Sequence, residues 1–115
     1  MSNPLVIEVK IENKIAIAIY DRWGAFDNGS IMTRAAEYAK LVKGCDVETT
    51  VSRCFATAEA GCAVTDADDI EAYEEIGDVI VEIDVTNDEV IVYDIVEIKA
   101  SIDNFVEYAE RWERD

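Results

Sequence analysis

Hydrophobic and polar positions alternate almost from the start of the chain. Leu5, Ile7, Val9 and Ile11 stand against Val6, Glu8 and Lys10, the period-two pattern of a half-buried strand. Ile15, Ile17 and Ile19 alternate with Ala16, Ala18 and Tyr20 in a second strand. A three-residue loop, Glu12-Asn13-Lys14, pairs Ile11 with Ile15 and Val9 with Ile17 and keeps every large aliphatic on one face. A two-residue loop would split that set, because a one-residue slip exchanges faces, so the pattern predicts the three-residue loop. Gly24, Asp27, Asn28 and Gly29 mark the next stretch as a loop. Ser30 is placed to cap a helix over 31–43 with the apolar stripe Ile31, Ala35, Tyr38, Ala39 and Val42, and Gly44 stands where a C-terminal glycine belongs.

Residues 47–60 send mixed signals. Val47-Glu48-Thr49-Thr50-Val51 has strand propensity, whereas Val51, Phe55 and Ala58 recur at helical spacing and Gly61 would stop a helix. The helical spacing is the longer pattern and predicts a helix. Cys62-Ala63-Val64-Thr65 reads as a short strand, and Ile70, Tyr73 and Ile76 predict a short helix or turn over 66–76 that ends at Gly77. Residues 79–85 and 89–98 form a hairpin about Thr86-Asn87-Asp88. With three residues in that loop, Val79, Val81, Ile83, Ile91, Tyr93 and Ile95 share the core face. A two-residue turn would put Asp94 among the aliphatics, at a desolvation cost. Ser101 caps the last helix, with Ile102, Phe105, Val106, Ala109 and Trp112 as its buried stripe and Glu107–Arg111 and Glu110–Arg114 as pairs one turn apart. The expectation is one α+β domain, 1–115, in the order ββααββα with a short extra helix: two or three helices on one face of an antiparallel sheet of about five strands.

Charge changes this picture more than composition does. Half the residues are hydrophobic, 14 of them Ile, so a net charge of −16 does not mean disorder. The acidity is lopsided. Residues 1–44 hold six basic and five acidic side chains, while 45–115 hold four and 21. From Cys54 to Ile98 there are 45 residues with 14 acids and no Lys or Arg. Such a half repels nucleic acid and anionic membrane alike, so direct contact with either is disfavoured. It suits a basic protein surface instead. No apolar run is long enough for a membrane span, and Met-Ser-Asn-Pro lacks the features of a signal peptide. Reduced thiols in a cytoplasmic protein are the expectation for Cys45, Cys54 and Cys62, an odd set without paired spacing.

Candidate chemistry is sparse. The chain has no His, which removes most general-base and imidazole–metal chemistry. Cys62 lies between Glu59 and Asp66, which disfavour a thiolate, and only Cys54 sits beside an Arg. An EF-hand loop begun at Asp66 needs glycine at 71 and Glu at 77, where the chain has Glu71 and Gly77. No glycine-rich phosphate cradle is present. The expectation is no cofactor, no resident metal and no catalytic residue. Trp23 and Phe26, beside Arg22, fit either of two roles: rings folded back over the sheet edge, or an exposed anchor for a partner.

The segment Arg22-Trp23-Gly24-Ala25-Phe26-Asp27-Asn28-Gly29 resembles the His-Trp-Asp-Gly-Tyr-Pro-Glu-Gly loop of some small uncharacterised phage and bacterial α+β proteins. Trp23, an aromatic at Phe26, and Gly29 match; Gly24, Ala25 and Asp27 depart from it. The resemblance covers about eight residues, implies a strand–loop–helix order and carries no activity with it.

Four readings of the acidity compete. In the first, a non-enzymatic protein presents phosphate-like carboxylates to the basic surface of a nucleic-acid-binding enzyme; the chain resembles small acidic phage inhibitors of restriction or CRISPR nucleases in size and charge, a likeness of composition and not of motif. The candidate contacts are Asp66, Asp68, Asp69, Glu71, Glu74, Glu75, Asp78, Glu82 and Asp84, with Trp23 and Phe26. In the second, the acidity is a whole-surface salt adaptation, which the net positive first 44 residues argue against. In the third, two convergent carboxyls with opposed pKa values do acid–base work or hold a divalent cation. In the fourth, the chain is a homodimer or other homo-oligomeric accessory domain that pairs through its apolar first hairpin, with acidity serving solubility. The directional charge favours the first.

Overall fold

The computed structural model describes residues 3–94 and 97–114, the side chains of 112–114 excepted. It is an α+β fold with four helices and a mixed sheet of six strands. The chain runs β1 (Leu5–Ile11), β2 (Lys14–Asp21), α1 (Asn28–Val42), α2 (Val47–Thr57), β3 (Ala63–Val64), α3 (Ala67–Ile76), β4 (Val79–Asp84), β5 (Glu89–Tyr93), β6 (Ile98–Ser101) and α4 (Ile102–Arg114). Strand order is β3-β2-β1-β4-β5-β6, with β1 parallel to β4 and every other pair antiparallel. The expected five-stranded, wholly antiparallel sheet is thus corrected twice. The stretch 89–98 is not one strand: pairing breaks after Tyr93 and resumes as β6. The long return to β4 then lays that strand parallel along the free edge of β1. No helix of the described residues is long and apolar enough to cross a membrane.

The first hairpin reconciles two demands that look exclusive in the sequence. Its turn is two residues, Glu12 and Asn13, both at positive φ (50° and 68°), which matches the twist of the flanking strands. Val9 still pairs with Ile17, because an irregularity opposite Val9/Lys10 absorbs Ala16 and shifts the register by one. Leu5, Ile7, Val9, Ile17 and Ile19 therefore share one face. Ile15 pairs with Lys10 rather than Ile11 and packs on the opposite face.

The second hairpin also departs from expectation. Its loop is the four residues Val85–Asp88, and Val81 pairs with Val92 and Ile83 with Val90. Val90 and Val92 enter the core, while Ile91 and Tyr93 turn to the other face. The sequence argues against this core face only through a two-residue turn that would put Asp94 among the aliphatics; with the four-residue loop β5 ends at Tyr93, and Asp94 lies exposed beyond it. Ile95 and the side chains of Trp112 and Arg114 lie outside the described residues.

Helices cover both faces, not one. α1, α2 and α4 pack on the face of Leu5, Ile7, Val81 and Val90, where Phe105, Ile102 and Cys54 are buried. α3 lies on the other face, with Ile70 against Val6 and Ala18 and with Tyr73 beside Tyr20. Local caps decide where each helix begins. Asp27, three residues before Ser30, accepts the Ser30 N–H at 2.7 Å and starts α1 earlier than expected. Asp46 accepts the Thr49 N–H at 2.8 Å and starts α2. That helix buries Thr50 and Cys54 and leaves Phe55 half exposed, so its buried face is not the stripe expected. Ser101 caps α4 as expected, accepting the Asn104 N–H at 3.2 Å. Glu107 pairs with Arg111 at 2.8 Å, and Glu110 reaches Lys40 of α1 at 3.1 Å.

Candidate functional site

α3 is an acidic ridge laid over a mostly apolar patch. Its ten residues bury one side chain, Ile70, and half-bury Tyr73. Asp66 caps it by accepting the Asp68 N–H at 3.2 Å, and Asp68 and Asp69 occupy the first turn, where the helix dipole favours anions. Asp66, Asp68, Asp69, Glu71, Glu74, Glu75 and Asp78 are all exposed. Among the described residues none of these seven forms an ion pair. The stretch from Cys54 to Ile98 has no cation of its own to give the ridge.

Two of the nine candidate acids do not belong to this surface. Asp84 is buried (6% exposed) and accepts from both the backbone N–H and the side-chain amide of Asn87, at 3.1 and 2.8 Å. It builds the β4–β5 turn and is unavailable to a partner. Glu82 is half-buried on β4, where its carboxylate meets the Lys10 ammonium at 3.5 Å. The open groove of about 640 Å³ beside α3 brings Lys10 and Lys14 of the first hairpin opposite Glu71 and Glu74.

The aromatic loop is rigidly held with its rings outward. Asn3 donates to the Arg22 carbonyl and accepts from the Ala25 N–H, both at 3.0 Å. The Trp23 N–H donates to Asp21 Oδ1 at 3.2 Å. Gly24 presses on the sheet: a Cβ there would lie 2.7 Å from the Leu5 Cβ. Trp23 is 51% and Phe26 69% exposed, with the Arg22 guanidinium 5.5 Å from the Trp23 ring. The rings do not fold back over the sheet edge. α3 leaves the sheet at the same end of β1. The Asp78 N–H donates to the Pro4 carbonyl at 2.8 Å, and a Cβ on Gly77 would meet Val6 Cγ2 at 2.8 Å. Leu5 and Val6 point to opposite faces, so the aromatic loop and the exit of the acidic helix clamp the start of β1 from either side.

One residue of consequence is absent from the sequence-derived candidates. Glu8, in the middle of β1, is 4% exposed, and its Oε2 is buried with no hydrogen-bond partner. Burial, together with the neighbouring Glu74 and Glu82 carboxylates, pushes its carboxyl up to about 7, with Lys10 opposing. The alternation of Val6, Glu8 and Lys10 reads as a solvent face only if all helices sit on the other side. The signal that could have found it is the run Leu5–Val9, whose near-continuous apolar character suits a strand buried on both faces.

Elsewhere the chemistry is quiet. Burial pushes the Cys54 thiol up to about 11, which disfavours a thiolate. Arg53, its neighbour in sequence, turns to Cys45 Sγ at 3.4 Å. Among the described residues no three His, Cys, Asp or Glu side chains are placed to hold a metal ion. No protein-family model matches the chain, no curated protein matches it, and no solved structure matches it.

Proposed function

We propose that the chain is a non-enzymatic binding protein that docks its acidic ridge on a basic protein surface, of the kind that nucleic-acid-binding enzymes expose. The observation that carries this reading is α3 itself, a helix with one buried side chain and five exposed acids, none of them in an ion pair among the described residues. Exposed carboxylates spaced along a helix meet Lys and Arg as phosphates do, and carboxylates that form no ion pair within the chain keep more of their field for a partner. Trp23 and Phe26 add apolar anchors at the end of β1 where α3 leaves the sheet, on a loop whose hydrogen bonds reduce the ordering cost of binding. Inhibition of a restriction or CRISPR nuclease is the specific form of the proposal. Titration against a panel of both enzyme classes, at 50 and 500 mM KCl and with duplex DNA as competitor, tests it. The proposal expects binding that weakens at least about tenfold with salt and competes with DNA. Equal binding at both salts, or no binding to any member, contradicts it.

A homo-oligomer is the second reading, and one observation favours it. Val47 and Phe55 of α2, two turns apart, are each half exposed. In the first hairpin β1 lies between β2 and β4, and β3 pairs with β2 only at Ala18 and Ile19, so any pairing through that hairpin would use the rest of the outer edge of β2. Light scattering on wild type and Phe55→Ser separates the readings: a monomer in both leaves α2 without this role.

A further inference from the structure

Glu8 occupies a position that an ionised carboxylate tolerates badly. Its side chain lies between sheet and helix, 4% exposed, with Oε2 unpartnered. The groups that face it come from each neighbouring element. From β4, Glu82 is its register partner across the parallel ladder. From β1, Lys10 lies on the same face, but its ammonium is engaged by Glu82 at 3.5 Å. From β2, the register partner is Ala18, which carries no charge. From α3, Glu74 lines the groove over this face together with Lys10, Lys14 and Glu71, and its carboxylate acts on the Glu8 carboxyl. Ionised, Glu8 adds a buried carboxylate beside Glu74 and Glu82, where Lys10 is committed to Glu82 and Lys14 lies on the groove opposite Glu74. Protonated, it becomes a donor, and two carboxyls sharing one proton attract where two carboxylates repel.

We propose that a proton held between Glu8 and Glu74 latches α3 to the sheet, so that the helix bearing the acidic ridge is docked when the proton is present and loosens when it leaves. The remaining anchors of α3 are few enough for one proton to matter. Ile70 is its one buried side chain, the Tyr73 hydroxyl donates to the Gly61 carbonyl at 3.1 Å, and the Tyr73 ring lies 5.4 Å from that of Tyr20. Elements with so little buried apolar contact sit at the low end of local stability. The core strands are anchored on both faces and do not share this sensitivity. The latch is a property of the isolated chain and stands whether or not the ridge docks on a basic partner.

Amide hydrogen exchange of residues 67–76, corrected for intrinsic rates and compared with β1 at constant ionic strength, tests it between pH 5.5 and 8.5. The expected result is an at least about tenfold fall in α3 protection across this range, with β1 unchanged. In Glu8→Gln, which keeps the shape and a donor toward Glu74, α3 should stay protected throughout. Glu74 is exposed, so Glu74→Gln does not threaten folding, and there the fall should shrink. Constant α3 protection in wild type overturns the latch. So does a fall of equal size in wild type and either variant.

Discussion

Gly77→Ala separates two explanations of why a glycine ends α3. The position follows a helix, which invites the reading that glycine supplies a left-handed cap. Its φ and ψ are −72° and 132°, a conformation any residue adopts. What alanine lacks there is room: its Cβ would sit 2.8 Å from Val6 Cγ2 and 3.4 Å from Val6 Cβ. Val6 is fully buried in the central strand and cannot swing away. Overpacking of this kind costs about 1–3 kcal/mol. The stiffer unfolded chain returns about 0.4–1 kcal/mol, which leaves a net loss of roughly 1–2 kcal/mol and a Tm lower by about 4–8 °C. Urea unfolding followed by circular dichroism measures the loss, and a double-mutant cycle with Val6→Ala assigns it. Without Cγ2 the clash is gone, so Gly77→Ala should become neutral or stabilising in that background, a coupling of at least about 1 kcal/mol. Gly44→Ala is the control: Gly44 has φ +69° with nothing within 4 Å of a built Cβ. Its penalty of about 1 kcal/mol comes from the backbone alone and should not couple to Val6. An equal penalty for Gly77→Ala with and without Val6 Cγ2 refutes the contact argument.

Three further outcomes are expected. Glu8 is an acid whose folded pKa is raised from 4.5 to about 7, so its stabilising contribution is complete below 4.5 and is lost as pH climbs through 7. The stability advantage of Glu8→Gln over wild type should therefore grow from pH 5 to pH 8, by at most about 3 kcal/mol; no growth contradicts the burial argument. Asp84→Ala removes two hydrogen bonds from Asn87 to a charged acceptor and should cost about 1–3 kcal/mol in urea unfolding, whereas Glu75→Ala, on the exposed ridge, should stay within about 0.5 kcal/mol. Trp23→Ala and Phe26→Ala should leave the Tm nearly unchanged; if the loop anchors a partner, at least one of them weakens binding by about 2 kcal/mol or more in a titration.

What was legible in the sequence was local, and what was not depended on a neighbour far along the chain. The α4 cap at Ser101 and the helical spacing over 66–76 each concern a few residues, and they read correctly. The acidic ridge was legible for a different reason: 45 residues without Lys or Arg cannot neutralise themselves, whatever they fold into. Faces were another matter. The slip at Ala16 and the early end of β5 before Asp94 are set by what packs outside each hairpin, so a period-two pattern fits two registers equally well. Glu8 looked solvent-facing until α3, arriving some 60 residues later, covered it. Glu82 loses its place on the open surface for a similar reason, since its cation, Lys10, is 72 residues away across a parallel ladder. The aromatic loop shows the same logic in reverse. Large rings usually bury, and Trp23 and Phe26 had an apolar sheet edge beside them. The backbone at Gly24 already fills the space over Leu5, close enough that not even a methyl group fits. The close approach that requires glycine at 24 is what turns the rings on either side of it toward solvent.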